Sequence, residues 1–499
     1  MKLHLALGNI AVAGLFLLGS VGAPAATRRA KQTVAPSNEA RTERYFESIR
    51  QDPNLLLAFL REMPKGGDLH IHLTGSIYAE SYVQWLADKG DCVEPGKLEL
   101  SSGPCDSPTV PVTKAFTDPG LYSRLIEAFS TRNWQYSGKS AHDDFFDSFG
   151  KVAFATEGVV DKMLAETASR AASEHELYQE PMFTQTGPEL EVLAKKLGWD
   201  DNFAVMQQKL LANGLLPILA TARQELQFAE NMRDQRLKCG GPAADPGCQV
   251  VQRYLAQVSR GKPKEVVFAQ MLAGFLLSGA DPTVAPPSPH LVGINLVMAE
   301  DWYVPMHDFP LHMKMLGFLH EQYPHVHIAL HAGELVQGMV PPEGLQFHIR
   351  DSVEAGHAER IGHGIDVMNE ARPFELLQEM AKHNVMVEIC LTSNDMILGV
   401  RGKQHPLHEY LRAGVPVALA TDDEGVARSD MTHEYLKAVQ EQELTYVQLK
   451  KMARTSLEHA FLSGAEKARL QAKLEEQFRA FEAQNWTAEK SPPTPNPHR

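Results

Sequence analysis

From residue 64 onward the chain alternates short apolar runs with long stretches of helical periodicity, and this rhythm limits the fold more than any other feature. The runs fall at 68–73, 176–183, 215–222, 291–297, 326–331, 360–365, 385–391 and 415–421. Between most of them lie segments such as 309–322 and 372–382, whose apolar residues recur at helical spacing. Short strands separated by helices build a parallel sheet, because a parallel connection needs a crossover long enough to hold a helix. Eight such units predict a (β/α)₈ TIM barrel, an α/β fold that carries its functional groups at the C-terminal ends of the strands.

The length of 499 residues could otherwise suggest three domains, but a barrel with additions accounts for it. Residues 26–62 read as an N-terminal helical extension with a helix over 40–63, and 63–480 as the barrel. Segments near 90–118 and 232–264 are rich in turn formers and read as two surface insertions. Residues 481–499 end in Ser-Pro-Pro-Thr-Pro-Asn-Pro and read as a disordered tail. With 48 Lys and Arg against 62 Asp and Glu, a formal charge of −14 argues against nucleic acid or anionic lipid as a partner.

The first 25 residues read as a signal peptide. Lys2 precedes an apolar run over 10–18, followed by Ala23-Pro24-Ala25, the small-residue pattern of a cleavage site. The run is too short to span a bilayer, so no membrane anchor is expected after cleavage. Export to the periplasm or beyond agrees with the cysteines. Cys92 and Cys105 flank one turn-rich stretch, Cys239 and Cys248 another, and each pair could form a local disulfide in an oxidising compartment. Cys390 lies in an apolar run and reads as a buried free thiol.

Histidine, at 21 residues, is the composition's least ordinary count, and its distribution along the strands is informative. Alternate residues on a strand share a face, so His70 and His72 point the same way, a geometry suited to one metal ion. His-x-His pairs also arise by chance, as at His325 and His327. Those two sit at the start of the fifth strand, away from the catalytic rim, and read as structural or solvent-facing. His331 ends that strand and Glu334 follows in its loop, where it is either a group swung over the pocket or an exposed glutamate. The sixth strand ends in His363 between two glycines, and the eighth in Asp422-Asp423. Adjacent carboxylates after an apolar strand need a cation facing at least one of them; a helix N-cap is the alternative for Asp423.

These residues resemble the adenosine deaminase family of the metal-dependent amidohydrolase superfamily. The matching motifs are His70-Ile71-His72-Leu73, His331-Ala332-Gly333-Glu334, Gly362-His363-Gly364, Thr392-Ser393-Asn394 and Thr421-Asp422-Asp423, in the family's order. The signal and insertions look nearer the secreted, growth-factor-like deaminase branch. The resemblance implies one Zn²⁺ per chain held by His70, His72, His331 and Asp422. It also implies that His363 and Asp422 orient and deprotonate water, that Glu334 protonates purine N1, and that Asp423 contacts N7. The implied reaction is hydrolytic deamination of adenosine or 2′-deoxyadenosine to inosine and ammonia.

Two departures bear on the substrate. Thr74 stands where many of these deaminases have an aspartate for the ribose 5′ hydroxyl. Met298 stands where the family commonly has a glycine whose N–H meets N3. Thr74 and Met298 are therefore substrate-binding candidates. The expected alternatives are another 6-aminopurine (adenine, a modified nucleoside or an AMP-type nucleotide) and an extracellular zinc-binding barrel with a signalling or binding role.

Overall fold

A computed structural model describes residues 37–484 and 486. The signal-peptide segment and residues 487–499 lie outside these described residues, and the helix Gly464–Ala483 runs three residues into the segment expected to be a disordered tail. Eight parallel strands follow one another around a barrel: β1 Gly66–His72, β2 Glu176–Phe183, β3 Tyr254–Ser259, β4 Leu291–Val297, β5 His327–Ala332, β6 Arg360–His363, β7 Met386–Ile389 and β8 Val417–Leu419. The barrel closes just beyond β8. There the Asp422 N–H donates to the His70 carbonyl (2.8 Å) and the His72 N–H to the Asp422 carbonyl (3.0 Å). Gly66, at φ +78°, starts β1 where the strand passes under the helix Tyr446–His459. A Cβ there would stand 2.1 Å from the Ala453 carbonyl oxygen, so only glycine fits.

Seven of the eight expected strands are present, and one is misplaced. Residues 215–222 are not a strand but the start of the helix Leu215–Arg236. Its buried residues, Leu215, Leu219, Ala222, Leu226 and Ala229, recur at three- and four-residue intervals, the spacing of one helix face. Pro217 is tolerated because the first-turn N–H groups have no intrahelical partner to lose. The third barrel strand is instead Tyr254–Ser259, inside the segment 232–264 expected to be only an insertion. That segment also contains the disulfide Cys239–Cys248. Around 90–118, a small antiparallel sheet of Cys92–Val93, Leu100–Ser101 and Val110–Pro111 stands off the barrel, with Cys92 joined to Cys105. Cys390 is buried and free.

The single helix expected over 40–63 is two, Asn38–Ile49 and Pro53–Glu62, because Asp52 caps the second and Pro53 cannot continue the first. Phe46 and Phe59 bury against Tyr446 and Phe481 of the C-terminal helices, with the Phe59 and Phe481 rings 5.0 Å apart. Each fully buried phenylalanine contributes roughly 1.5–3 kcal/mol, enough to hold the extension on the barrel.

Candidate active site

The C-terminal ends of β1, β5 and β8 bring three imidazoles and a carboxylate to one point. His331 Nε2 lies 3.0 Å from His70 Nε2 and 3.1 Å from His72 Nε2. Asp422 Oδ1 lies 3.4 Å from the first of those nitrogens and 3.2 Å from the second. Each ring's other nitrogen faces an acceptor: His70 Nδ1 meets Glu388 Oε2 at 2.6 Å, His72 Nδ1 meets Gln257 Oε1 at 3.2 Å, and His331 Nδ1 meets Asn295 Oδ1 at 2.8 Å. With those acceptors drawing the ring protons to Nδ1, three Nε2 lone pairs point at one another, an arrangement that a cation between them would satisfy.

Ligands about 2.0–2.1 Å from a tetrahedral zinc stand roughly 3.3 Å apart, so the donor set fits such an ion. Asp422 Oδ1 is buried without a hydrogen-bond partner, as a ligand oxygen would be, while Oδ2 accepts from the Ser393 hydroxyl at 2.5 Å. Burial alone would lower the His70 pKa, but Asp422 and Glu388 push it up to about 10. A metal cation would take the place of that extra proton. Gly362 makes the packing possible, since a Cβ there would approach His70 Cε1 to 2.5 Å.

Glu388 is anchored in turn. Its Oε1 lies 2.7 Å from Arg360 Nε, and Arg360 also binds Glu180 at 2.6 Å, all three side chains fully buried. Alternate charges across this chain keep Glu388 ionised, with Arg360 overcoming the upward push of burial.

Glu334 faces the cluster from the loop after β5. Gly333 turns that loop at φ +72°, and Glu300 grips it, accepting the Gly333 N–H at 3.2 Å and the Glu334 N–H at 2.8 Å. Burial would raise Glu300, but His348 and Arg260 beside it bring it down to about 2. Burial pushes the Glu334 carboxyl well above the usual range, the negative charges of Asp422 and Glu300 push it further, and Arg260 offsets the shift only in part. Burial does the same to Asp423, with Asp422 adding to it. His363 Nε2 lies 3.7 Å from Glu334 Oε1, and burial lowers this ring to about 3, which keeps it neutral.

Above these groups is a cavity of about 360 Å³. Phe145, Phe146 and Phe149 from the helix Ala141–Val152 roof it together with Trp302 and Ile397. Met298 lines it at φ +102°, a conformation that disfavours any side chain. Thr74 is not among the lining residues; it lies in the turn after β1, where its carbonyl accepts from Tyr82. Gln257 and Asp147 do line the cavity. His325 and His327 lie away from it: His325 bonds the Gly279 carbonyl, and His327 bonds Glu359 beside a separate cleft of about 640 Å³ at the β-strand N-terminal end.

A family model described as adenosine deaminase matches residues 236–477, which include His331, Glu334, His363, Asp422 and Asp423. Over those residues, just under half of its length, the chain is similar to the adenosine deaminase family. Adenosine deaminase of Klebsiella pneumoniae (strain 342) is 39% identical over 145 residues, a match spanning 29% of this chain and 40% of that relative. The chain thus matches well under half the length of this curated adenosine deaminase. The fold extends further than the sequence match. Adenine deaminase from Arthrobacter aurescens superposes with a TM-score of 0.54 at 19% identity, covering 83% of this chain and 99% of that one. An Arabidopsis N6-mAMP deaminase superposes at 0.53 and 18% identity, covering 84% and 99%. His70 and His72 precede the stretch matched by the adenosine deaminase model, so it is the barrel's closure that brings them to the matched residues.

The sequence reading did not reach Glu388, Gln257, Asn295, Glu300 or the aromatic roof. Glu388 left a visible trace, a carboxylate inside the apolar run 385–391, which only a buried cationic or donor partner makes tolerable.

Proposed function

We propose that this chain is an exported zinc-dependent hydrolase that deaminates adenosine or 2′-deoxyadenosine to inosine and ammonia. The observation that carries the reading is a buried carboxyl with a raised pKa, Glu334, facing a three-histidine, one-aspartate donor set at the floor of an aromatic cavity. His70, His72, His331 and Asp422 would hold the zinc, which would supply the Lewis acidity that makes water a nucleophile near neutral pH. His363 and Asp422 face that water.

As oxygen attacks C6 of the purine, the C6=N1 electron pair moves to N1, which takes the Glu334 proton. Asp423, kept in its acid form by burial, donates to N7. The proton released by the attacking water passes to N6, which leaves as ammonia, and loss of the adduct's remaining hydroxyl proton to Glu334 restores the 6-oxo product and the acid. The phenylalanine roof and Trp302 stack on the base and exclude bulk water.

The cavity volume lies near the small end of the roughly 300–1,000 Å³ common for small-molecule sites. No Lys or Arg lines it, and Asp147 does, so a neutral nucleoside suits it better than a nucleotide. Adenine is the second reading, favoured by the position of Thr74 outside the lining, which leaves a ribose 5′ hydroxyl without its usual partner. A purely binding or signalling barrel would have no use for a neutral buried glutamate. Two disulfides support export, because such bonds persist in oxidising compartments; N-terminal sequencing of the mature protein tests it, with a start after Ala25 expected.

The deciding assay follows loss of the adenine-type ultraviolet band together with ammonia release, using zinc-replete protein and adenosine, deoxyadenosine, adenine and AMP. No turnover of any of the four would refute the proposal. Glu334→Gln should keep its zinc and lose at least ~10²-fold in kcat.

A further inference from the structure

Behind His363 runs a chain of buried hydrogen bonds whose direction is fixed at its far end. The Leu407 backbone N–H donates to His405 Nδ1 at 3.1 Å. A backbone amide can only donate, so Nδ1 of that ring is the acceptor and its proton sits on Nε2. His405 Nε2 lies 3.2 Å from Asn394 Oδ1 and therefore donates to it. The orientation of the Asn394 amide follows: its Nδ2 faces His363 Nδ1 at 3.0 Å and donates there. His363 Nδ1 is thus an acceptor, and the proton of the neutral ring is on Nε2, the atom that faces Glu334 and the cavity without a protein hydrogen-bond partner. His363 and Asn394 are fully buried and His405 is 2% exposed, so water does not compete for these bonds.

We propose that Asn394 and His405 are positioning residues that lock His363 in the Nε2–H tautomer, making it a hydrogen-bond donor to the attacking oxygen and not the base that deprotonates it. The proposal rests on the deaminase reading and divides the duties of the two groups facing the water. The O–H bond of water breaks with its proton passing to the Asp422 carboxylate while the oxygen bonds to C6. That proton later passes to N6 as the C6–N6 bond breaks, so Asp422 ends as it began. His363 keeps its proton throughout and stabilises negative charge on the oxygen. Asn394 lies on the helix Leu391–Leu398, directly after β7, and His405 on the segment leading to the helix Leu407–Ala413. The tautomer is therefore set by a backbone amide outside the barrel wall.

Asn394→Asp reverses the polarity, because a carboxylate only accepts and would draw the His363 proton to Nδ1. A catalytic imidazole held in the wrong tautomer costs a serine-protease triad about 10⁴-fold in kcat. Asn394→Asp should lower kcat by at least ~10²-fold with KM within about threefold and zinc content unchanged. His405→Leu should also lower kcat, and His405→Gln, whose amide can still donate to Asn394, should recover at least about tenfold of that loss. The direct readout is ¹⁵N-histidine NMR of the zinc-loaded protein without substrate, where His363 Nε2 should carry the proton in wild type and lose it in Asn394→Asp. This readout does not depend on turnover, so it remains decisive if the substrate assignment fails. A wild-type His363 protonated at Nδ1, or an Asn394→Asp protein that moves the proton yet keeps full kcat, would overturn the proposal.

Discussion

Replacing Glu388 by glutamine tests whether the three imidazoles form a metal site held from behind. Glu388 Oε2 accepts from His70 Nδ1 at 2.6 Å, and its Oε1 forms an ion pair with Arg360, 2.7 Å from Nε. A glutamine can present its oxygen to only one of these donors, and its NH₂ then faces the other at a distance where two donors repel. If the oxygen stays with His70, Arg360 loses one of its two buried carboxylates and keeps Glu180. Breaking a buried pair costs roughly 3–5 kcal/mol, and the remaining partner places this case near the lower figure, about 3 kcal/mol. If the oxygen turns to Arg360, His70 is pushed toward the tautomer with its proton on Nε2 and is lost as a ligand.

Loss of such a partner typically weakens metal binding about 10- to 100-fold, equivalent to ~1.4–2.8 kcal/mol. Zinc affinity can be read by competition with a chromogenic chelator, and stability by urea denaturation of metal-free protein. Activity should return in excess zinc, because no group touching substrate has changed. A chelator midpoint within twofold of wild type would show that Glu388 does not support the site and would refute the reasoning.

Stability should also depend on pH through His312, which is fully buried with both ring nitrogens unpartnered. Burial lowers its pKa from 6.5 to about 4, so between those values the unfolded chain binds a proton that the folded one refuses. Stability is then complete above pH 6.5 and falls as the pH drops toward 4, by about 3 kcal/mol from this group. His312→Asn should flatten that part of the urea-midpoint profile, and an unchanged slope would count against it. Phe146→Ala removes a stacking surface usually worth about 1–3 kcal/mol and should raise KM about tenfold with a smaller change in kcat, read from initial rates. AMP should have a lower kcat/KM than adenosine, and Asp147→Lys should narrow the gap by supplying a cation to the phosphate; equal efficiencies in the wild type would contradict a cavity lined by carboxylates and by no Lys or Arg.

The barrel was legible because a parallel strand buried on both faces needs a continuous apolar run and a long return path, and seven strands met both conditions. The third did not. Tyr254–Ser259 contains Gln257 and follows a turn-rich disulfide loop, whereas 215–222 is locally more apolar; only the longer helical spacing through Ala229 shows it to be a helix. The same error hid Gln257, since a residue assigned to an insertion cannot be expected behind His72. His70, His72, His331, Glu334, His363, Asp422 and Asp423 were legible because each falls at or just beyond the end of a strand, where the barrel rim gathers polar groups. Glu388 and Asn295 lie within strands, and their use depends on which ring stands across the barrel, a relation no local pattern contains. The aromatic roof depends on how the helix Ala141–Val152 folds back over the rim, which is a tertiary choice.

The peptide that closes the barrel has a further consequence. Asp422 bonds through its backbone to His70 and His72, and its side chain meets the nitrogens of the same two residues. The first and last strands are therefore joined at one spot by backbone hydrogen bonds, and an ion held among the side chains would join them there a second time. An ion held there acts as a clasp on the seam, and neither half of it exists until β8 has docked against β1. The full donor set is therefore assembled only in the closed barrel.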